Sequence, residues 1–139
     1  MDKYNRARKR LRIILSLLFI SELPVSLYLL FFPYHFQNIF NFPTGSEPFF
    51  IREVGNFLIF ATYMQYIAYR NPEKNLLAVQ LTIILRLLAG MLEFVEINFI
   101  LTSYNIFSFA LLFFCVTNFL FAFLIIRYLK QMNLKWIEI

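Results

Sequence analysis

The sequence predicts an all-α membrane protein: four transmembrane helices in an antiparallel bundle, with the N- and C-termini both cytoplasmic. Three observations predict it. Of the 139 residues, 60% are hydrophobic and nineteen are Phe, too apolar for a soluble fold, which needs polar outer faces. The apolar residues fall in continuous runs of about twenty, the length of a spanning helix, not in the roughly ten-residue alternating segments of a barrel. The cations, finally, gather on one side of those runs. Because hydrocarbon cannot hydrogen-bond exposed backbone, runs of this kind must be helices. The length is that of a single domain, with no room for a separate soluble module.

The first run covers roughly residues 11–32. A basic head precedes it, as in a signal peptide, but the apolar stretch is too long for a signal h-region and no small-residue cleavage site follows. It reads as a retained helix, ended by Pro33. The connection "FFPYHFQNIFNFPTGSEPFF" then carries aromatics at 34, 36, 40 and 42, broken by His35, Gln37, Asn38 and Asn41. Residues 34–42 read either as a short amphipathic segment on the outer membrane surface or as an aromatic interface belt. The stretch also permits a lid over an opening between helices. The remaining runs are roughly 49–69, 76–98 and 106–127.

Orientation follows from the cations. Lys3, Arg6, Arg8, Lys9, Arg10 and Arg12 precede the first run, Arg70 and Lys74 flank the turn between the second and third, and Arg127, Lys130 and Lys135 follow the fourth. Four passes put all eleven on one side, and the opposite connections hold no lysine, which makes that side cytoplasmic. The N-terminal "KYNRARKRLR" is therefore read as a topology signal touching anionic headgroups, not as a nucleic-acid patch. Trp136 is placed at the same interface.

The other two cations, Arg52 and Arg86, fall inside runs, together with Glu22, Glu53, Glu93 and Glu96. A charge at the centre of an isolated span costs about 2.5–3.5 kcal/mol on insertion scales, so such groups must be paired, hydrated or functional. Glu22 and Arg86 lie about eleven and ten residues from the cytoplasmic side, both roughly 15 Å deep at 1.5 Å per residue. They form the expected midplane pair. Arg52 lies near the outer end, level with Glu93 and Glu96, and is expected to pair with one of them. Arg86 and Glu93 share a face with Thr82, Ala89 and Gly90, whose small size lets a neighbouring helix approach. Arg52, Asn56, Tyr63 and Tyr66 share a face of the second run, flanked by Glu53 and Gly55. Ser26 lies one turn beyond Glu22, with Pro24 between them. Ser108, Cys115, Asn118 and Ala122 make a weaker stripe on the fourth run. The four faces are expected to converge on the bundle interior. Four acids outnumber two arginines, so at least two carboxyls are neutral, hydrated or turned to a ligand; desolvation favours the neutral acid. Two readings stay open: a charge set that only locks the bundle, and an outward-opening polar cavity ringed by Arg52, Glu53, Glu93 and Glu96.

Other chemistries find little support. Cys115 is the one cysteine, which excludes an intrachain disulfide and a Cys-x-x-Cys site, and reads as a small buried residue. His35 has no Cys or second His beside it, so neither a zinc nor a haem site is expected. Gly45, Gly55 and Gly90 are scattered and make no phosphate loop. No cofactor is expected from the residues alone.

The stretches "FFPYHFQNIF" and "PFFIREVGNFLIFATYMQYIAYRNPEKNLLAVQLTIILRLLAG" resemble the DoxX-like group of small four-helix bacterial membrane proteins over roughly residues 30–90. The shared elements are the aromatic, Pro-containing segment after the first run and an Arg-x-x-Gly opening to the second (Arg52 to Gly55). A short turn follows at Arg70-Asn71-Pro72, then an arginine in the third run, Arg86. Asn71 stands where an acid is common in that turn. Some members of the group are associated with quinone-linked oxidoreductases. The resemblance thus implies a bacterial cytoplasmic (inner) membrane and either a lipophilic, quinone-like ligand or a partner subunit. It carries over no catalytic residues.

The expected function is that of a small integral membrane protein binding a lipophilic molecule in its polar interior or serving as an accessory subunit of a membrane complex. Its expected partners are membrane lipids and another membrane protein or further copies of itself, with no nucleic acid. The alternative is an oligomeric proton-coupled transporter or channel protomer using Glu22 or Glu93, although the two halves show no internal repeat. An enzyme is the weakest reading, since no nucleophile–base pair is evident.

Overall fold

A computed structural model of the protein describes residues 2–39, 48–99 and 106–134. Residues 40–42 of the expected outer segment, Gly45, Lys135, Trp136, and the side chains of Glu96 and Ser108 lie outside the described residues. The chain is all-α: α1 (Lys3–Phe31), α2 (Pro33–Ile39), α3 (Phe49–Arg70), α4 (Leu76–Phe99) and α5 (Ile106–Gln131). Three stretches are long and apolar enough to cross a membrane, namely Lys3–Phe31, Leu76–Val95 and Leu112–Gln131. They make this an integral membrane protein by length and composition.

α1 begins at Lys3, inside the basic head, not near residue 11. The head is rich in Arg and Lys, both good helix formers, and it is tied down. Tyr4 Oη donates to Glu73 at 3.0 Å and Arg8 Nε lies 2.7 Å from the same carboxylate. Glu73 is presented by the α3–α4 turn. There the Lys74 amide donates to Asn71 Oδ1 at 3.3 Å, Asn75 Nδ2 donates back to the Ile67 carbonyl at 2.9 Å, and Pro72 is fully buried. At the far end of the chain Asn133 takes the left-handed conformation (φ 52°) and lets the Leu134 amide reach the Leu129 carbonyl at 3.2 Å, closing α5.

α2 folds back at the opposite end of the bundle and packs on α1 and α3. Tyr28 holds it: its Oη is hydrogen-bonded to His35 Nδ1 at 2.6 Å, and its ring meets those of Phe32, His35 and Phe36. Pro33 and Gln37 are the buried side chains of α2, while Tyr34 and Ile39 are exposed.

The four long helices form a closed ring. α1 packs along α3 and α5, and α4 packs along α5 and α3; α1 and α4 stand across the ring with no close backbone approach among the described residues. Helices α1 and α3 make the tightest crossing, at Gly55, where a methyl group would lie 2.9 Å from Leu30 N and 3.1 Å from Ser26 O. The apolar core fills the half of the bundle that carries the N-terminus: Leu11, Leu15 and Leu18 of α1 meet Ala68, Val79, Ile83, Ala122, Ile125 and Leu129. The layer beyond it is polar.

Candidate functional site

That polar layer is a chain of five side chains drawn from all four long helices. Arg86 of α4 reaches across the ring to form an ion pair with Glu22 Oε1 of α1. Gln65 of α3 donates through Nε2 to the other oxygen, Glu22 Oε2, at 2.8 Å. On the opposite flank Arg86 Nη1 donates to Asn118 Oδ1 of α5 at 2.6 Å. Asn118 in turn donates through Nδ2 to Glu93, at 2.9 and 3.1 Å from its two oxygens. Only one orientation of the Asn118 amide serves both neighbours, with its oxygen toward the cation and its nitrogen toward the acid.

Geometry explains why these residues meet. α1 and α4 are diagonal, so only a long side chain closes the gap between them, and Arg86 has that reach. Arg86 and Glu93 are seven residues apart on α4, two turns on nearly the same face, and Asn118 lies between them on α5. The small residue Gly90 sits between the two on α4; it is buried, and its carbonyl accepts the Cys115 thiol at 3.4 Å. The Glu22 and Arg86 side chains are only 14% and 13% exposed. Charge-assisted bonds of this type are about twice as strong as neutral ones, and the low dielectric around them strengthens them further.

Other expected members of the site lie elsewhere. Arg52, Glu53, Asn56 and Tyr63 are exposed on α3, and Tyr66 beside them meets Phe19 and Arg70. Glu53 accepts from Asn56 at 3.4 Å, within its own helix. Arg52 forms no ion pair among the described residues, and Glu93 meets Asn118; the side chain of Glu96, the other expected partner of Arg52, lies outside the described residues. The polar face of α3 therefore does not converge on the interior. Gly55, Ala61, Thr62, Gln65 and Ala68 face inward instead. Packing decides this. Helices in lipid gain contact by close approach, and small side chains allow it where Tyr and Arg do not.

Gln65 was not among the expected site residues, yet it is a full member of the network. The available signal was its position: a Gln in "FATYMQYIAY", two residues from Tyr63 and so about 200° round the helix, on the opposite face. Gln80 was missed as well. Gln65 Oε1 and Gln80 Nε2 are both buried without a protein partner among the described residues.

Compared with known protein families, with curated proteins and with solved structures, the chain shows no match.

Proposed function

We propose that this protein spans the bacterial cytoplasmic membrane four times, with both termini inside, and serves as an accessory subunit that docks to a membrane partner through α3. Four spans are supported by the ring of helices: three members are long and apolar enough to cross, and α3 completes the ring beside them. The cation distribution supports the orientation. The resemblance to DoxX-like proteins supports the compartment and a subunit role.

One observation carries the docking. α3 falls short of the apolarity of a spanning helix among the described residues, and Arg52, Glu53, Asn56, Tyr63, Tyr66 and Arg70 stand exposed on it rather than in the interior. A polar group facing hydrocarbon is costly, and a partner helix offering hydrogen bonds relieves the cost. The interior, by contrast, leaves little for a lipophilic ligand to bind, because Glu22, Arg86 and Asn118 already hold one another.

A photo-reactive residue placed at Tyr63 in cells tests this. The expected product is a single protein adduct that is lost when Arg52→Glu is added and that does not form from Leu120, an exposed position on α5. Adducts of lipid mass alone would sink the reading. An adduct of a few hundred daltons would move it to a lipophilic ligand on the same face.

The proton-coupled alternative draws on a different observation. Gln65 Oε1 and Gln80 Nε2, the two buried amide atoms without a protein partner among the described residues, lie roughly 6–8 Å from the N-terminal end of the bundle by helix rise. That puts both on the path from that end to Glu22. Buried polar atoms of this kind commonly hold ordered water, which would wet the approach to the carboxylate. On this reading Glu22→Gln, in a chain that remains folded, abolishes proton uptake by proteoliposomes. Background leakage from the wild-type chain would remove it.

A further inference from the structure

We propose that the cleft between the first turns of α1 and the end of α3 is a headgroup site for an anionic phospholipid. The leaflet concerned is the one at the N-terminal end of the bundle. The inference rests on the membrane reading but not on α3 docking.

Because α1 is helical from Lys3, residues Asn5, Lys9, Arg12 and Ser16 recur at steps of four, three and four and share one face. Together with Arg8, and with Tyr69 from α3, they line a cleft of about 430 Å³ in which no lining residue is acidic. Arg12 is fixed in place. Its Nε donates to the Tyr69 carbonyl at 3.0 Å, and its guanidinium lies 4.8 Å from the centre of the Tyr69 ring. Those contacts occupy one N–H and one face of the guanidinium plane. The two terminal nitrogens remain for an anion, and their fork matches a phosphate. Arg8 is partly neutralised by Glu73, 2.7 Å away. Lys9 is exposed and unneutralised among the described residues.

A second feature selects a lipid over a soluble anion. Ile13 lines the same cleft, and Ile13, Leu17 and Ile20 continue down α1 with exposures of 47, 53 and 63%. Phosphate at Arg12 and acyl chains along this stripe are the two halves of one phospholipid. Basic clefts between helices at the cytoplasmic surface bind such headgroups. A second cleft, of about 350 Å³, is lined by Phe123 and Ile126 and also holds cations, Lys3, Arg127 and Lys130. None of these is held by a protein acceptor among the described residues, and so it serves as the control.

The test uses the full chain in nanodiscs of phosphatidylcholine with a minor share of phosphatidylglycerol, released into a native mass spectrometer. Recovery in the membrane fraction and circular dichroism are checked first; failure there strikes the membrane reading itself. The wild type is expected to retain phosphatidylglycerol in preference to phosphatidylcholine. Lys9→Glu alters an exposed side chain with no contact to lose, and is expected to cut that retention about tenfold or more, at about 1 kcal/mol per surface charge. Arg12→Lys lowers it too, by losing the fork. Lys130→Glu makes the same change of charge in the control cleft and should leave retention intact. Equal losses from Lys9→Glu and Lys130→Glu would show diffuse attraction and overturn the site. Inorganic phosphate binding the detergent-solubilised chain as tightly as the lipid would overturn the lipid assignment.

Discussion

Arg86→Met is expected to destabilise the protein by roughly 3–5 kcal/mol, the typical penalty for removing one partner of a buried ion pair. Met keeps the apolar stem of the side chain and removes the guanidinium, so the loss reports chiefly the cation and its hydrogen bonds. Arg86 answers two groups at once, the Glu22 carboxylate and the Asn118 amide, and Asn118 orients Glu93. Its removal leaves Glu22 with only the Gln65 amide among the described residues. The double variant Glu22→Gln with Arg86→Met removes both members of the pair, and should recover part of the loss because Glu22 is no longer left as an unpaired carboxylate. Asn118→Leu should cost less than Arg86→Met, since interhelical hydrogen bonds in membranes average about 0.6 kcal/mol. Denaturation of the purified chain in detergent measures all three. If Arg86→Met unfolds within about 1 kcal/mol of wild type, the pair is not what holds α1 to α4.

The contrast between Glu22–Arg86 and Arg52 shows which parts of this arrangement a sequence exposes. Depth is countable: helix rise is fixed, so two ionisable residues equally far from one end must sit at one level. That argument placed Glu22 beside Arg86, and the structure joins them. Rotation about the helix axis is harder to count. On α3 the polar stripe through Arg52, Asn56 and Tyr63 competes with a small-residue stripe through Gly55, Ala61 and Ala68. Polarity alone favours turning the first inward. Close packing favours the second, and the second is buried. Gln65 rides inward with the small residues and meets Glu22. The extension of α1 to Lys3 was also hidden, because its anchor, Glu73, is some seventy residues away in sequence. Helices α1, α4 and α5 were legible, as length and apolarity fix them without reference to partners.

Gly55→Ala is expected to be among the most damaging single-methyl additions in the chain. The new methyl would stand 2.9 Å from Leu30 N, 3.1 Å from Ser26 O and 3.3 Å from Leu29 C. All three are backbone atoms of α1, which cannot swing aside as a side-chain tip can. Ser26 is completely buried at this crossing, so α1 and α3 must separate along their tightest contact. Overpacking costs about 1–3 kcal/mol, and the rigidity of the atoms struck puts Gly55→Ala at the upper end. Separation also draws Gln65 away from Glu22, since both lie farther along the same pair of helices. Gly90→Ala supplies the comparison. Its methyl would meet the Phe119 ring at 3.0 Å, but that ring is 38% exposed and can rotate outward, so the cost should stay below about 1 kcal/mol. Melting of the two variants in one detergent ranks them. A Gly55→Ala chain as stable as Gly90→Ala would mean that the α1–α3 crossing has room to give, and that the polar chain beyond it, not the small-residue contact, sets the spacing of the bundle.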